Sequence, residues 1–153
     1  MNPMSFERTF LSDMRVVKMI TVKALDFIRD ALPGVSFDDL MELKLIFSEL
    51  LYNAVIHGNK QDRLLNVRFR IDITGSTVHT TVSDEGHGFD YVRLLTRGEA
   101  EREAALFDEY GRGLILVSAL ADDVAFNTSG NSVRFNKRVT LNGATSGRSD
   151  TGY

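Results

Sequence analysis

Cysteine is absent from the 153-residue sequence, which excludes a disulfide framework, a thiolate zinc site and a cysteine nucleophile. Of the 2 prolines, Pro3 and Pro33, both fall at the edges of predicted elements, and no Pro- or Ser-rich stretch reads as a linker. The longest largely apolar run, Leu114 to Ala121, is far shorter than the ~20 residues a membrane helix needs. There is no excess of positive charge either. Lys plus Arg number 18 against 21 Asp plus Glu, a formal charge of −3, which argues against direct, sequence-blind nucleic-acid binding. The 3 histidines, His57, His79 and His87, lack the paired spacing of a zinc site. No Gly-x-x-x-x-Gly-Lys-Ser/Thr occurs, so a Walker-type NTPase is excluded. The first thirty residues carry Glu7, Arg8, Asp13, Arg15, Lys18, Lys23 and Asp26, unlike the apolar region of a signal peptide. With 43% hydrophobic and 25% charged residues, the expectation is one soluble cytoplasmic domain with a real core.

What is present is a regular succession of periodic segments. Residues 4–10 alternate apolar and polar, with Met4, Phe6 and Phe10 in phase, and predict a short strand. From Asp13 the period lengthens. Val16, Val17, Ile20, Ala24, Phe27, Ile28 and Ala31 mark an amphipathic helix that Pro33-Gly34 ends. Ser36 to Asp39 supply N-cap candidates for a second helix, which buries Leu40, Leu43, Ile46, Phe47, Leu50, Ala54 and Val55 and stops at Gly58. Leu65 to Ile73 and Val78 to Val82 alternate as two strands around Gly75-Ser76, a hairpin. Residues 85–110 resist assignment, apart from a charged stretch, Arg97 to Glu103, that reads as partly helical. A helix follows Gly113, and two strands, Asp123 to Asn127 and Ser132 to Val139, flank a Ser129-Gly130-Asn131 turn. The small polar residues from Thr140 onward predict a disordered tail. The reading is therefore one domain over 1–139 and a tail over 140–153. Its fold class is α+β, a two-layer α/β sandwich with a mostly antiparallel sheet and helices on one face.

Three places carry chemistry. On a helical wheel at ~100° per residue, Glu49, Asn53 and His57 fall at ~0°, ~40° and ~80°, along one edge of the buried stripe. A helix needing only solubility would put its carboxylate on the far side, with Met41, Lys44 and Tyr52. Asp84-Glu85-Gly86-His87-Gly88-Phe89 follows a strand. There an aspartate can accept from an exocyclic amine, and glycines let a ligand approach the backbone. Gly111-Arg112-Gly113 opens a helix, where exposed N–H groups favour an anion or phosphate.

In this order the segments resemble the GHKL, or Bergerat-fold, ATPases, which include histidine-kinase catalytic domains and gyrase-type ATPases. Glu49 to Asn59 matches their N box, Asp84 to Phe89 their G1 box and Gly111 to Leu114 their G2 box. Within that superfamily the sequence looks most like the small stand-alone anti-sigma-factor serine kinases of the RsbW type. Their Glu-x-x-x-Asn-Ala-x-x-His-Gly is matched letter for letter from Glu49 to Gly58, and Gly130-Asn-Ser132-Val-x-Phe-x-Lys137 resembles their closing strand.

The resemblance, over residues 4–139, implies ATP and Mg²⁺ as ligands. Asn53 would coordinate the Mg²⁺ through its amide oxygen. Asp84 would accept from the adenine amine with Ser132 in support, and Gly86 and Gly88 would let base and sugar pack closely. Gly111, Arg112 and Gly113 would hold the triphosphate. Glu49 would be the catalytic base when a serine attacks the γ-phosphate. The implied partners are a STAS-type anti-anti-sigma protein and a sigma factor. A homodimer is expected through Phe6 and Phe10 on an edge strand and the helix beside them. Family kinases place a basic residue ahead of the first G2 glycine; here Glu109-Tyr110 stands there and Arg112 lies between the glycines. That departure keeps two alternatives open, a nucleotide-gated binding module with little chemistry and a detached catalytic domain of a two-component histidine kinase.

Overall fold

The computed structural model describes residues 4–87 and 109–142, except for the side chains of 109–112. The chain begins with strand β1 (Met4–Leu11) and helix α1 (Met14–Ala31). Helix α2 (Phe37–Tyr52) continues without a break into a π-helical segment (Asn53–Gly58). Strands β2 (Asn66–Thr74) and β3 (Thr77–Ser83) then form a hairpin, and helix α3 (Glu109–Leu120) leads into β4 (Asp123–Phe126) and β5 (Ser132–Arg138). The described strands make a single sheet in the order β1-β2-β3-β5-β4, and every pairing is antiparallel. This is the α+β sandwich that the sequence predicts, and no described helix is long and apolar enough to cross a membrane.

Alternation sorts the two faces of the sheet. Val67, Phe69, Ile71 and Ile73 of β2 are buried under the helices, as are Val78, Thr80 and Val82 of β3. The residues between them face the other way. There Arg68 and Arg70 pair with Glu7, and Arg70 also pairs with Asp72, a polar surface that suits a sheet covered on one side. Phe47 of α2 is the centre of the core. Its ring lies 5.2 Å from Phe69 at 72° and 6.0 Å from Phe135, so one helix residue bridges β2 and β5 by edge-on and tilted aromatic contacts. Asp13 caps α1 by accepting from Arg15 N, and Ser36 caps α2 by accepting from Asp39 N, each satisfying an orphan donor of the first turn.

Three sequence expectations are corrected. The second helix does not stay α-helical to Gly58. Asn59 N donates to Ala54 O at 2.8 Å, five residues back rather than four, and the wider turn carries Asn53 to Gly58. The third helix starts at Glu109, so Gly111 and Gly113 lie inside it rather than before it. Finally, Thr140, Leu141 and Asn142 do not belong to a free tail. Ser36 N donates to Thr140 O, Asn142 N donates to Gly34 O, and Val35 bridges Leu141. Gly34, at φ +87°, faces the Asn142 carbonyl so closely that a side chain there would overlap it.

Candidate functional site

Glu49 lies in the last turn of α2 and Asn53 opens the π-helical segment. Glu49 is half-buried and Asn53 is buried at 6% exposure. Neither Oδ1 nor Nδ2 of Asn53 has a hydrogen-bond partner within the described protein. Leaving a buried amide unsatisfied costs about 1–3 kcal/mol per group, and such orphans mark places where strain is stored, chemistry is done, or a water or ion binds. An amide oxygen is a donor type suited to a hard cation such as Mg²⁺, so the residues present fit that ion. π-Helical turns are rare and gather at functional sites.

Helix α3 meets this pair through a glycine. A methyl group on Gly113 would lie 2.5 Å from Glu49 Oε2 and 3.5 Å from Asn53 Nδ2, so any side chain there would have to displace the Glu49 carboxylate. Gly111 and Arg112 occupy the first turn of the same helix; the Arg112 side chain lies outside the described residues. Gly88 lies outside them as well.

Asp84 reaches the same region from the end of β3. Its Oδ1 accepts from Gly86 N at 2.8 Å, and its own N–H donates to Asn131 O at 2.9 Å. Burial pushes the Asp84 carboxyl above its ordinary pKa, against the Gly86 N–H that favours the anion. Gly58 packs so tightly against this carboxylate that a side chain would overlap it, and one on Gly86 would overlap the Gly58 carbonyl. The N-box glycine and the two ends of Asp84-Glu-Gly86 thus form one contact. A narrow cavity of about 20 Å³ joins Asn53 and Asp84, with Leu50, Val82 and Leu114 among its walls.

The structure therefore gathers Glu49, Asn53, Asp84, Gly86 and Gly113 at one end of the sandwich. Ser132 lines the same small cavity as Asn53 and Asp84. The Ser132 hydroxyl lies 2.8 Å from that of Ser83, and β-strand alternation puts it opposite core-facing Val133. Asn131, the residue before Ser132, touches the Asp84 turn directly, its Nδ2 donating to Gly86 O at 3.2 Å. Asn59 touches it from the other side, with Oδ1 accepting from Glu85 N at 2.8 Å. Sequence reasoning assigned neither asparagine a role; their place next to a motif glycine and a motif serine was the available signal.

On the other flank of Glu49 a larger groove of about 520 Å³ opens between α1 and α2. Its walls are mainly apolar, Met14, Val17, Val22 and Leu116 among them, with Lys18 and Lys44 contributing positive charge, and it reaches Glu49 and Gly113. Glu49 lines this groove, one helical turn before Asn53, which lines the smaller cavity.

Comparison with known proteins agrees with this geometry. The family model described as "Histidine kinase-like ATPase domain" matches residues 18–137. The anti-sigma F factor of Anoxybacillus flavithermus is 31% identical over 129 residues, covering 80% of this chain and 81% of that protein. The anti-sigma F factor of Bacillus subtilis is 28% identical over 148 residues, 91% of this chain and 94% of that one. The serine-protein kinase RsbW of Staphylococcus aureus is 28% identical over 113 residues, 69% and 70% of the two chains. By the extent of these matches, and by the three motif segments that its fold draws together, this chain belongs to the histidine kinase-like ATPase domain family.

Proposed function

We propose that this protein is an ATP-dependent serine kinase of the anti-sigma-factor type, acting on a STAS-type anti-anti-sigma partner and holding a sigma factor. The observation that carries the reading is the buried, unpartnered amide of Asn53 against the Gly113 backbone and Glu49. The names of the relatives support the partner class.

In this reading the adenine amine donates to Asp84, and Gly86 and Gly88 leave room for base and sugar. Gly111 and Arg112 face the triphosphate in the first turn of α3, where unpaired helix N–H groups and the dipole favour anions, and Gly113, one residue further on, leaves room for it beside Glu49. Asn53 holds Mg²⁺ through Oδ1. The ion, when bound, neutralises charge on the phosphate oxygens. A serine of the partner reaches Glu49 through the groove between α1 and α2. Glu49 accepts the hydroxyl proton as the serine oxygen bonds to the γ-phosphorus, and the bond from that phosphorus to the bridging oxygen breaks, releasing ADP. Ser132 contributes to base recognition through water. The site lies in one domain over 1–139 of a cytoplasmic protein, with Thr140 to Asn142 docked onto it. Two copies associate through β1 and α1; Phe6 and Phe10, expected to face the second copy, are instead buried in the chain's own core, and the apolar side chains exposed there are Met4, Leu11 and Met19.

The test is incubation with labelled ATP and a candidate STAS-domain protein, followed by mapping of the label. Phosphoserine on the partner is expected. Glu49→Gln should retain ATP affinity and lower transfer by ~10²–10⁴-fold, the range for loss of a general base; full transfer by that variant would remove Glu49 from the mechanism. Glu109-Tyr110 in place of a basic residue favours a second reading, a nucleotide-gated binding module, for which ATP would be retained without transfer. Label on histidine would instead indicate a detached histidine-kinase catalytic domain.

A further inference from the structure

Asn59 is buried at 2% exposure, yet every polar atom of its side chain has a partner. Nδ2 donates to Ser12 Oγ at 2.7 Å and to Asn66 O at 2.9 Å. Oδ1 accepts from Glu85 N at 2.8 Å. One side chain thus ties together the β1–α1 junction, the start of β2 and the residue directly after Asp84. The Glu85 carboxylate returns to the Asn66 N–H and closes the ring. These partners lie 47, 7 and 26 residues away in sequence, so the arrangement is tertiary rather than a local turn.

The backbone beside it is costly. Lys60 and Gln61 adopt φ of 51° and 60°, left-handed values that L-residues disfavour by about 1–2 kcal/mol each. Gln61 N donates to Val55 O and Asp62 N to Asn59 O, which reverses the chain at the end of the π-helical segment and leaves Asn59 beneath Glu85. Strain of this kind persists where the surroundings over-determine it, and it gathers at sites that need a fixed geometry. What the geometry fixes here is the Asp84 turn. On one side Gly58, the residue before Asn59, abuts the Asp84 carboxylate; on the other, Asn131 holds Asp84 N and Gly86 O.

We infer that Asn59 is a positioning residue for base selectivity, setting the direction of the Asp84 carboxylate by holding the following amide against the exit of the π-helical segment. The inference rests on the reading that Asp84 receives the 6-amino group of adenine. A carboxylate that must meet an amine discriminates against a 6-keto purine because a wrong partner leaves a buried polar group unpaired. That discrimination depends on direction, whereas attraction to the triphosphate depends little on it.

The test measures affinities of the full chain for ATP, inosine triphosphate and inorganic tripolyphosphate by competition. Wild type should prefer ATP over inosine triphosphate. In Asn59→Ala that preference should fall by about tenfold, the worth of one misdirected hydrogen bond, with tripolyphosphate affinity unchanged. Asn59→Asp keeps the acceptor for Glu85 N but turns the donor to Ser12 Oγ and Asn66 O into an acceptor, so it should lower the melting temperature while keeping the preference. Ser12→Ala loosens the far side of the same network and should lower the melting temperature without moving the preference. Should Asn59→Ala not fold, Asn59→Ser, whose shorter side chain stops short of Glu85 N, takes its place with the same expected loss. An unchanged preference in the variant lacking the Glu85 contact overturns the inference while the nucleotide reading stands. So does an equal fall in all three affinities, or an equal loss of preference in Ser12→Ala, since either marks a merely structural role. A wild type that binds ATP and inosine triphosphate equally overturns the base-recognition reading itself, and the inference with it.

Discussion

Asn53 and Asp84 are both held in states that folding alone would not choose. The Asn53 amide is buried without a protein partner, so Asn53→Ala removes two unsatisfied groups and should leave the melting temperature of the ligand-free protein unlowered while ATP affinity drops at least tenfold. A fall in stability with affinity intact, read by calorimetry, would contradict the assignment. The Asp84 carboxyl is raised in pKa chiefly by burial. The folded state therefore binds that proton more tightly than the unfolded chain. Its contribution to stability is largest below the unfolded value near pH 4 and declines as pH rises through the folded one. Asp84→Asn should accordingly be more stable than wild type at pH 7, with the advantage shrinking towards pH 4 and with weaker adenine binding. Denaturant titrations at the two pH values check the sign.

At the level of elements, the contact between the π-helical segment and the end of β3 admits only glycine. Gly58→Ala would push a methyl group into the Asp84 carboxylate and should cost about 1–3 kcal/mol of stability, the range for overpacking, together with ATP affinity; urea unfolding and nucleotide titration measure the two. This is also where the sequence was least legible. Strands with strict alternation, such as Val67, Phe69, Ile71 and Ile73, declare themselves, as does the three- and four-residue spacing of Val17, Ile20, Ala24 and Ile28. The π turn does not, because its register depends on Asn59 and Gln61 donating to Ala54 and Val55, and Asn59 is held in turn by Ser12 and Glu85. Likewise Gly111 and Gly113 resemble a break before a helix by propensity, yet they lie inside α3. Close approach to Glu49, not local preference, accounts for Gly113.

Across the whole molecule, distant segments of chain converge on one end of a helix-on-sheet sandwich. The order of elements was readable because each buries one face of fixed period. The docking of Thr140 to Asn142 onto Gly34 to Ser36 was not, since it runs through backbone hydrogen bonds that small polar side chains do not announce. Lys137 shows the same limit. Its ammonium reaches Leu120 O at 3.0 Å and Glu42 at 2.6 Å, joining the end of α3 to the start of α2, so the two helices that face each other at Glu49 and Gly113 are also clamped at their other ends. The convergence itself is open to one direct measurement, titration calorimetry of the wild-type chain and Asn53→Ala with ATP, each with and without Mg²⁺. The account requires wild-type binding that strengthens with Mg²⁺ and a variant in which that strengthening is lost. Equal Mg²⁺-dependent affinity in the two proteins, or no ATP binding by wild type, would contradict it.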